Sequence, residues 1–197
     1  MPLALKIPPV MTVPEFLGWN QPIGPAWQLV DGIPLAMAPA SRTHGAIQQE
    51  LGSLLRNHLL DHGGPCSVIA NPGIVPRLRA ESNFRIPDLA VTCSPCQEEE
   101  YALTDPVLVI EILSPSNQAE TWANVWAYAT IPSVREILIV HSTAVAADLL
   151  RRDADGDWPD RPLRIEDDGV LDLQTVGFQA PVAALYRATR LAPPAAG

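Results

Sequence analysis

Two short apolar runs, each with a carboxylate set into it, limit what this chain can fold into more than any other feature. The first is Arg85-Ile86-Pro87-Asp88-Leu89-Ala90-Val91, and the second is Pro106-Val107-Leu108-Val109-Ile110-Glu111-Ile112-Leu113. Both are rich in β-branched residues and bounded by turn-forming sequence, which predicts strands over 85–93 and 106–113. Such strands belong in a core, where an isolated charge costs several kcal/mol. Two of them call for a common explanation. On neighbouring strands Asp88 and Glu111 would share one coordination shell, and oxygen-only ligation of that kind suits Mg²⁺ or Mn²⁺ with water in the remaining positions. The other reading that spacing allows is structural: Asp88 caps a turn and Glu111 pairs with an arginine such as Arg85.

The remaining segments supply a scaffold for that pair. Thr12 to Trp19 reads as a short helix, with Thr12 capping and Pro14 in its first turn. Trp27 to Met37 has two apolar runs around Asp31-Gly32, the signature of a hairpin. Ser41 to His62 predicts a long helix: Ile47, Leu51, Leu54, Leu55 and Leu59 share one face, Ser41 caps it, and Gly63-Gly64 ends it. His44 joins that inward face in the first turn. A strand interrupted at Asn71-Pro72-Gly73 follows, then an arginine-bearing turn with Arg77, Arg79 and Arg85. Residues 117–130 predict a second helix with Trp122, Val125, Trp126 and Ala129 inward and Ser114 or Ser116 as cap. Val134 to His141 predicts a strand buried on both faces. Residues 144–173 read as a meander, Pro181 to Tyr186 as a short helix. This order makes an α/β (α+β) fold with a central mixed sheet flanked by helices, in one domain over 1–197 with flexible ends at 1–10 and 191–197.

Charge and cysteine content narrow the function. The net charge is −9, with Lys6 the only lysine, which is the wrong overall sign for a protein that grips a phosphate backbone. A local patch of Arg77, Arg79, Arg85 and Arg135 would answer that objection, because the field in a cleft depends on how charge is distributed. Cys93-Ser94-Pro95-Cys96 has Cys-x-x-Cys spacing without a second ligand pair, so a strand end followed by a turn explains it better than zinc or redox chemistry. No apolar run is long enough to span a membrane, and the first residues lack an export signal, so the expected location is the cytoplasm.

The strings Arg85-Ile86-Pro87-Asp88, Glu111-Ile112-Leu113-Ser114-Pro115-Ser116, Tyr128 and Ile131-Pro132-Ser133-Val134-Arg135-Glu136 occur in that order. Together with the Leu29-Val30-Asp31-Gly32 hairpin and His44, they resemble the Uma2 family (DUF820), a bacterial group of restriction-endonuclease-like proteins within the PD-(D/E)XK nuclease superfamily. The resemblance spans roughly residues 10 to 187. It implies a restriction-endonuclease-like core in which Asp88 and Glu111, with the backbone carbonyl of Ile112, bind Mg²⁺ or Mn²⁺, and an endonuclease that hydrolyses phosphodiester bonds in DNA without an organic cofactor.

Two positions depart from the pattern that the resemblance implies. The acidic residue of the hairpin strand is Gln28 here, and the lysine four residues before the tyrosine is Asn124. An amide orients water but supplies neither a cation nor a titratable base. Losing one such charge-stabilising donor costs about 3–4 kcal/mol in phosphoryl-transfer rate. Arg77, Arg79 or Arg85 would have to supply the missing positive charge or contact the phosphate. The candidate catalytic set is therefore Asp88, Glu111, Asn124, Gln28 and His44. The alternative is a nuclease fold kept as an inactive binding or dimerisation module. Cutting both strands with one site per chain asks for a two-fold homodimer.

Overall fold

The computed structural model describes residues 10–95, 101–115 and 117–192. Most of the expected N-terminal and C-terminal tails, Cys96, the Glu98–Glu100 loop and the candidate cap Ser116 lie outside the described residues. The first helix, α1 (Val13–Gly18), starts on a capping box in which the Thr12 hydroxyl and the Glu15 carboxylate satisfy each other's backbone N–H. Strands β1 (Trp27–Val30) and β2 (Ile33–Ala36) form the expected antiparallel hairpin. Its turn puts Asp31 at φ 49° and Gly32 at φ 82°, the paired positive values that a two-residue hairpin turn of this twist requires. The long helix α2 (Arg42–His62) is capped by Ser41 and ends at Gly63 in the left-handed region.

Six strands make the central sheet, in the order β3 (Ser67–Ala70), β4 (Leu89–Thr92), β5 (Pro106–Leu113), β6 (Glu136–His141), β7 (Ala147–Arg151) and β8 (Leu163–Ile165). Every neighbouring pair is antiparallel except β5 and β6, which the helix α3 (Gln118–Tyr128) connects in parallel. Side chains alternate along β5, so its two faces feed two cores. Leu108, Ile110 and Ile112 pack with Ile47, Leu51 and Leu55 of α2, while Val109 and Leu113 pack with Val125 and Tyr128 of α3. A third apolar cluster of Met11, Phe16, Trp27, Leu29 and Phe84 seats the hairpin. Backbone hydrogen bonds in both directions between Leu29 and Phe84 (2.8 and 2.9 Å) tie it to the segment leading to β4.

The described residues thus carry the mixed sheet flanked by helices, and four local expectations change. The strand expected over 85–93 shrinks to Leu89–Thr92, because Pro87 has no N–H to give to a ladder, and Arg85 instead bridges Ile74. Helix α3 is turned about its axis: Thr121, Asn124, Val125, Ala127 and Tyr128 are buried, Trp122 and Ala129 are partly buried, and Trp126 is 52% exposed. Two tryptophans outweigh smaller residues in any reading of apolar periodicity, yet the phase is set by where Tyr128 and Asn124 meet β5. Ser114 does not cap this helix. Asn117 holds the N-cap position and its Oδ1 accepts from the Ser114 N–H at 3.0 Å. Finally, Cys66 and Cys93 form a disulfide across the ends of β3 and β4. Strands β9 (Val170–Leu173) and β10 (Phe178–Pro181) form a separate two-stranded sheet. Among the described residues no helix is long and apolar enough to cross a membrane.

Candidate active site

The register between β4 and β5 pairs Leu89 with Ile110. Continued by one residue, it sets Asp88 opposite Glu111. Asp88 is fixed from three sides. Its Oδ2 accepts the Ile112 N–H at 2.6 Å, its Oδ1 meets His44 Nε2 at 2.7 Å, and its backbone carbonyl accepts from Gln48 Nε2 at 2.8 Å. His44 is delivered by the capped first turn of α2 and is 8% exposed, so it contacts a carboxylate where a core histidine would contact a backbone carbonyl. Gln48 lies one turn further along α2. The structure puts the N–H of Ile112 on Asp88, and Ile112 is 1% exposed.

Glu111 has the opposite environment. It projects from the α3 face of β5 and is 6% exposed. Tyr128 donates its hydroxyl to Glu111 Oε1 at 3.0 Å, and Asn124 Nδ2 reaches the same oxygen at 3.5 Å. Burial, and then repulsion by Asp88, push the Glu111 carboxyl well above the ordinary carboxylate range, against the pull of these two hydrogen bonds. Burial and the neighbouring Glu111 likewise raise the Tyr128 hydroxyl well above the usual phenol value. Glu111 makes no ion pair with Arg85, so the structural explanation of that carboxylate is not the one found.

A cleft of roughly 1360 Å³ opens over these groups and is lined by Gln28, His44, Asp88, Glu111, Glu120 and Asn124, among others. Gln28 reaches it from β1 and is 1% exposed; its Nε2 donates to Glu120 Oε1 at 2.5 Å, while its Oε1 is buried without a partner among the described residues. All five candidate catalytic side chains therefore meet in one cleft. The arginines do not join them. Arg79 pairs at the surface with Asp31 at 2.9 Å, and neither it nor Arg77 lines the cleft. Arg85 is 6% exposed, with Nη1 on Asn124 Oδ1 at 2.9 Å and Nη2 on Asn83 Oδ1 at 2.8 Å. Burial lowers its pKa, partly offset by the field of Tyr128, Asp31 and the nearby glutamates. The basic residue in the cleft lining is Arg190.

Sequence reasoning missed Glu120, Gln48 and the role of Tyr128. Helical spacing contains the signal for each: Gln48 is four residues from His44, and Glu120, Asn124 and Tyr128 follow one another at four-residue steps. Among the described residues no three His, Cys, Asp or Glu side chains converge as a ready-made metal cage. The donors nevertheless fit a hard divalent cation that keeps most of its water, since Mg²⁺ is ordinarily held by one or two carboxylates. Two facing carboxylates that repel each other and the unsatisfied amide oxygen of Gln28 are the kind of oxygen donors such an ion takes.

Comparison with known proteins identifies the family and a likeness of fold. The family model Uma2, described as "Putative restriction endonuclease", matches residues 13–183. The uncharacterised protein slr1290 of Synechocystis is 33% identical over 181 residues, which is 91% of this chain and 93% of that one. The crystal structure of a "putative nuclease belonging to DUF820" from Anabaena variabilis superposes with a TM-score of 0.72 at 18% identity, over 89% of this chain and 97% of that one, a likeness of fold.

Proposed function

The chain belongs to the Uma2 family, described as putative restriction endonucleases, and from that premise we propose that its cleft hydrolyses phosphodiester bonds in DNA with the help of Mg²⁺ or Mn²⁺. One observation carries the proposal: continuing the Leu89–Ile110 register by one residue brings Asp88, just before β4, opposite Glu111 of β5, and the charge of Asp88 makes Glu111 harder to ionise. Side chains held in that state at a core position cost stability, and a functional site is where such a cost is kept. Asp88 and Glu111 would hold the ion, with the Ile112 carbonyl as a further oxygen donor. The ion, when bound, neutralises phosphate charge and makes a water more acidic.

The chain's own residues do the rest. His44, in contact with Asp88 Oδ1, fixes that carboxylate and faces the cleft as a proton-handling group. Tyr128 and Asn124 aim Glu111. Gln28 and Glu120 close the side of the cleft nearest the hairpin. A homodimer brings a second such cleft to the opposite strand of a duplex. A second reading, an inactive fold retained for binding or dimerisation, is favoured by the amides at Gln28 and Asn124 and by the net charge of −9. Plasmid DNA with Mn²⁺ separates them, with wild type run beside Asp88→Ala. Nicking that Asp88→Ala abolishes is the expected result. Equal cleavage by both proteins, or none by either, refutes the nuclease reading of this cleft.

A further inference from the structure

Beneath the cleft lies a positive charge that is not directly paired with any carboxylate among the described residues. The guanidinium of Arg85 is buried, has no carboxylate within ion-pair distance among the described residues, and leaves its Nε without a partner. Its two hydrogen bonds go to neutral oxygens, Oδ1 of Asn124 and Oδ1 of Asn83. Burying a cation this way is costly, and a neutral side chain of similar volume would fill the space more cheaply. Packing alone does not account for it.

The hydrogen-bond chemistry indicates what the charge does. A guanidinium only donates, so Asn124 must turn its oxygen toward Arg85. Its Nδ2 then faces Glu111 Oε1, which also accepts from Tyr128. Arg85, Asn124 and Glu111 form a chain in which each donor fixes the next acceptor. The backbone bridge between Arg85 and Ile74, with both bonds at 2.8 Å, anchors its start. On the other side of Asn124, Asp88, Glu111 and Glu120 all line one cleft, and Tyr128, Asp31, Glu120 and Glu111 act on Arg85 through space.

We propose that Arg85 is the counter-charge and positioning residue of this cleft, orienting the Asn124 amide toward Glu111 and supplying positive charge beneath Glu111 and Glu120. The inference rests on the nuclease reading only for its catalytic consequence; the charge coupling stands apart from it. A double-mutant cycle of Arg85→Met and Asn124→Lys on the full chain, followed by thermal unfolding without metal, tests it. In wild type, Asn124→Lys sets an ammonium against the guanidinium and lowers Tm by about 5 °C or more. In Arg85→Met the same change places the missing charge beside Glu111 and raises Tm. With Mn²⁺ and plasmid DNA, Arg85→Met loses about tenfold or more in kcat at unchanged KM, and the double variant recovers part of it. An Asn124→Lys shift of the same sign and size in both backgrounds overturns the proposal. If Arg85→Met fails to fold, recovery of folded protein in the double variant supports the proposal and failure of both overturns it. Absence of cleavage by wild type refutes the nuclease reading alone, because the Tm cycle still judges Arg85.

Discussion

Replacing Glu111 with glutamine should stabilise the metal-free protein while removing its function. The glutamine keeps an oxygen for Tyr128 and Asn124, fills the same space, and takes away a buried charge that Asp88 repels. Burial and Asp88 make Glu111 easier to protonate in the folded chain than in the unfolded one, where its value is near 4.5. The sign follows from linkage: the folded state binds the extra proton, so this group's contribution is complete below the ordinary carboxylate range and is lost as pH rises toward the raised value. Between the two values each pH unit is worth about 1.4 kcal/mol, or about 3–5 °C in Tm for a chain of this size. Thermal unfolding in EDTA from pH 5 to 8 should therefore show Glu111→Gln above wild type, with the gap smallest at the acid end and widening upward. Saturating Mn²⁺ should then reverse the order, because only wild type gains binding energy, about 2.7 kcal/mol at a hundredfold excess over Kd. Parallel Tm curves, or a Glu111→Gln protein less stable than wild type at pH 7.5 in EDTA, would refute the reasoning.

Three further outcomes follow from groups outside the cleft. Burial pushes the Asp148 carboxyl up, but hydrogen bonds from His141 (2.7 Å) and Arg164 (3.2 Å) outweigh it and hold the group below the ordinary range. Asp148→Asn should thus cost about 1.5–3 kcal/mol at pH 7, with the Tm gap closing as pH falls below about 3.8. Glu136, fully buried, accepts from Arg151 at 2.5 Å and from the backbone N–H groups of Gln174 and Thr175 at 3.2 and 2.9 Å. Glu136→Ala should lower stability by about 1–3 kcal/mol in chemical denaturation, because it leaves two backbone N–H groups without their acceptor and Arg151 with Asp172 alone. Trp126→Gln should change stability by no more than about 0.5 kcal/mol in the same assay, as expected of a surface position.

What could be read in advance was whatever the chain states locally. Ser41, the leucine stripe and Gly63 define α2 within a few consecutive residues, and Asp31-Gly32 defines the hairpin, so both elements were visible. Pairing is a property of distant segments. Cys66 and Cys93 are 27 residues apart and meet only because Ser67 faces Thr92 across β3 and β4, and nothing in their own neighbourhood says so. The phase of α3 failed for a related reason. Its inward face is chosen by a polar partner on β5, Glu111 for Asn124 and Tyr128, whereas periodicity follows its two tryptophans. In sequence Arg85 is a candidate for the missing positive charge together with Arg77 and Arg79, and the fold separates them: Arg85 alone lies on the underside of the cleft, against Asn124.

The sheet explains why the cleft sits where it does. Antiparallel neighbours return the chain by a turn, but the parallel pair β5 and β6 needs a crossover that starts at the C-terminal end of β5. That crossover is α3, so its first turns, with Glu120, Thr121 and Asn124, must stand over the strand end that carries Glu111. Strand β4 runs the other way, so Asp88, just before its first residue, arrives at the same end. Crevices outside the carboxyl ends of parallel strands are where open sheets bind ligands. Here a single parallel step between antiparallel neighbours gathers both carboxylates, and α2 brings His44 to the same edge. A fold with β6 paired antiparallel to β5 would keep the apolar core and scatter these groups, so the site depends on this topology more than on any one of its residues.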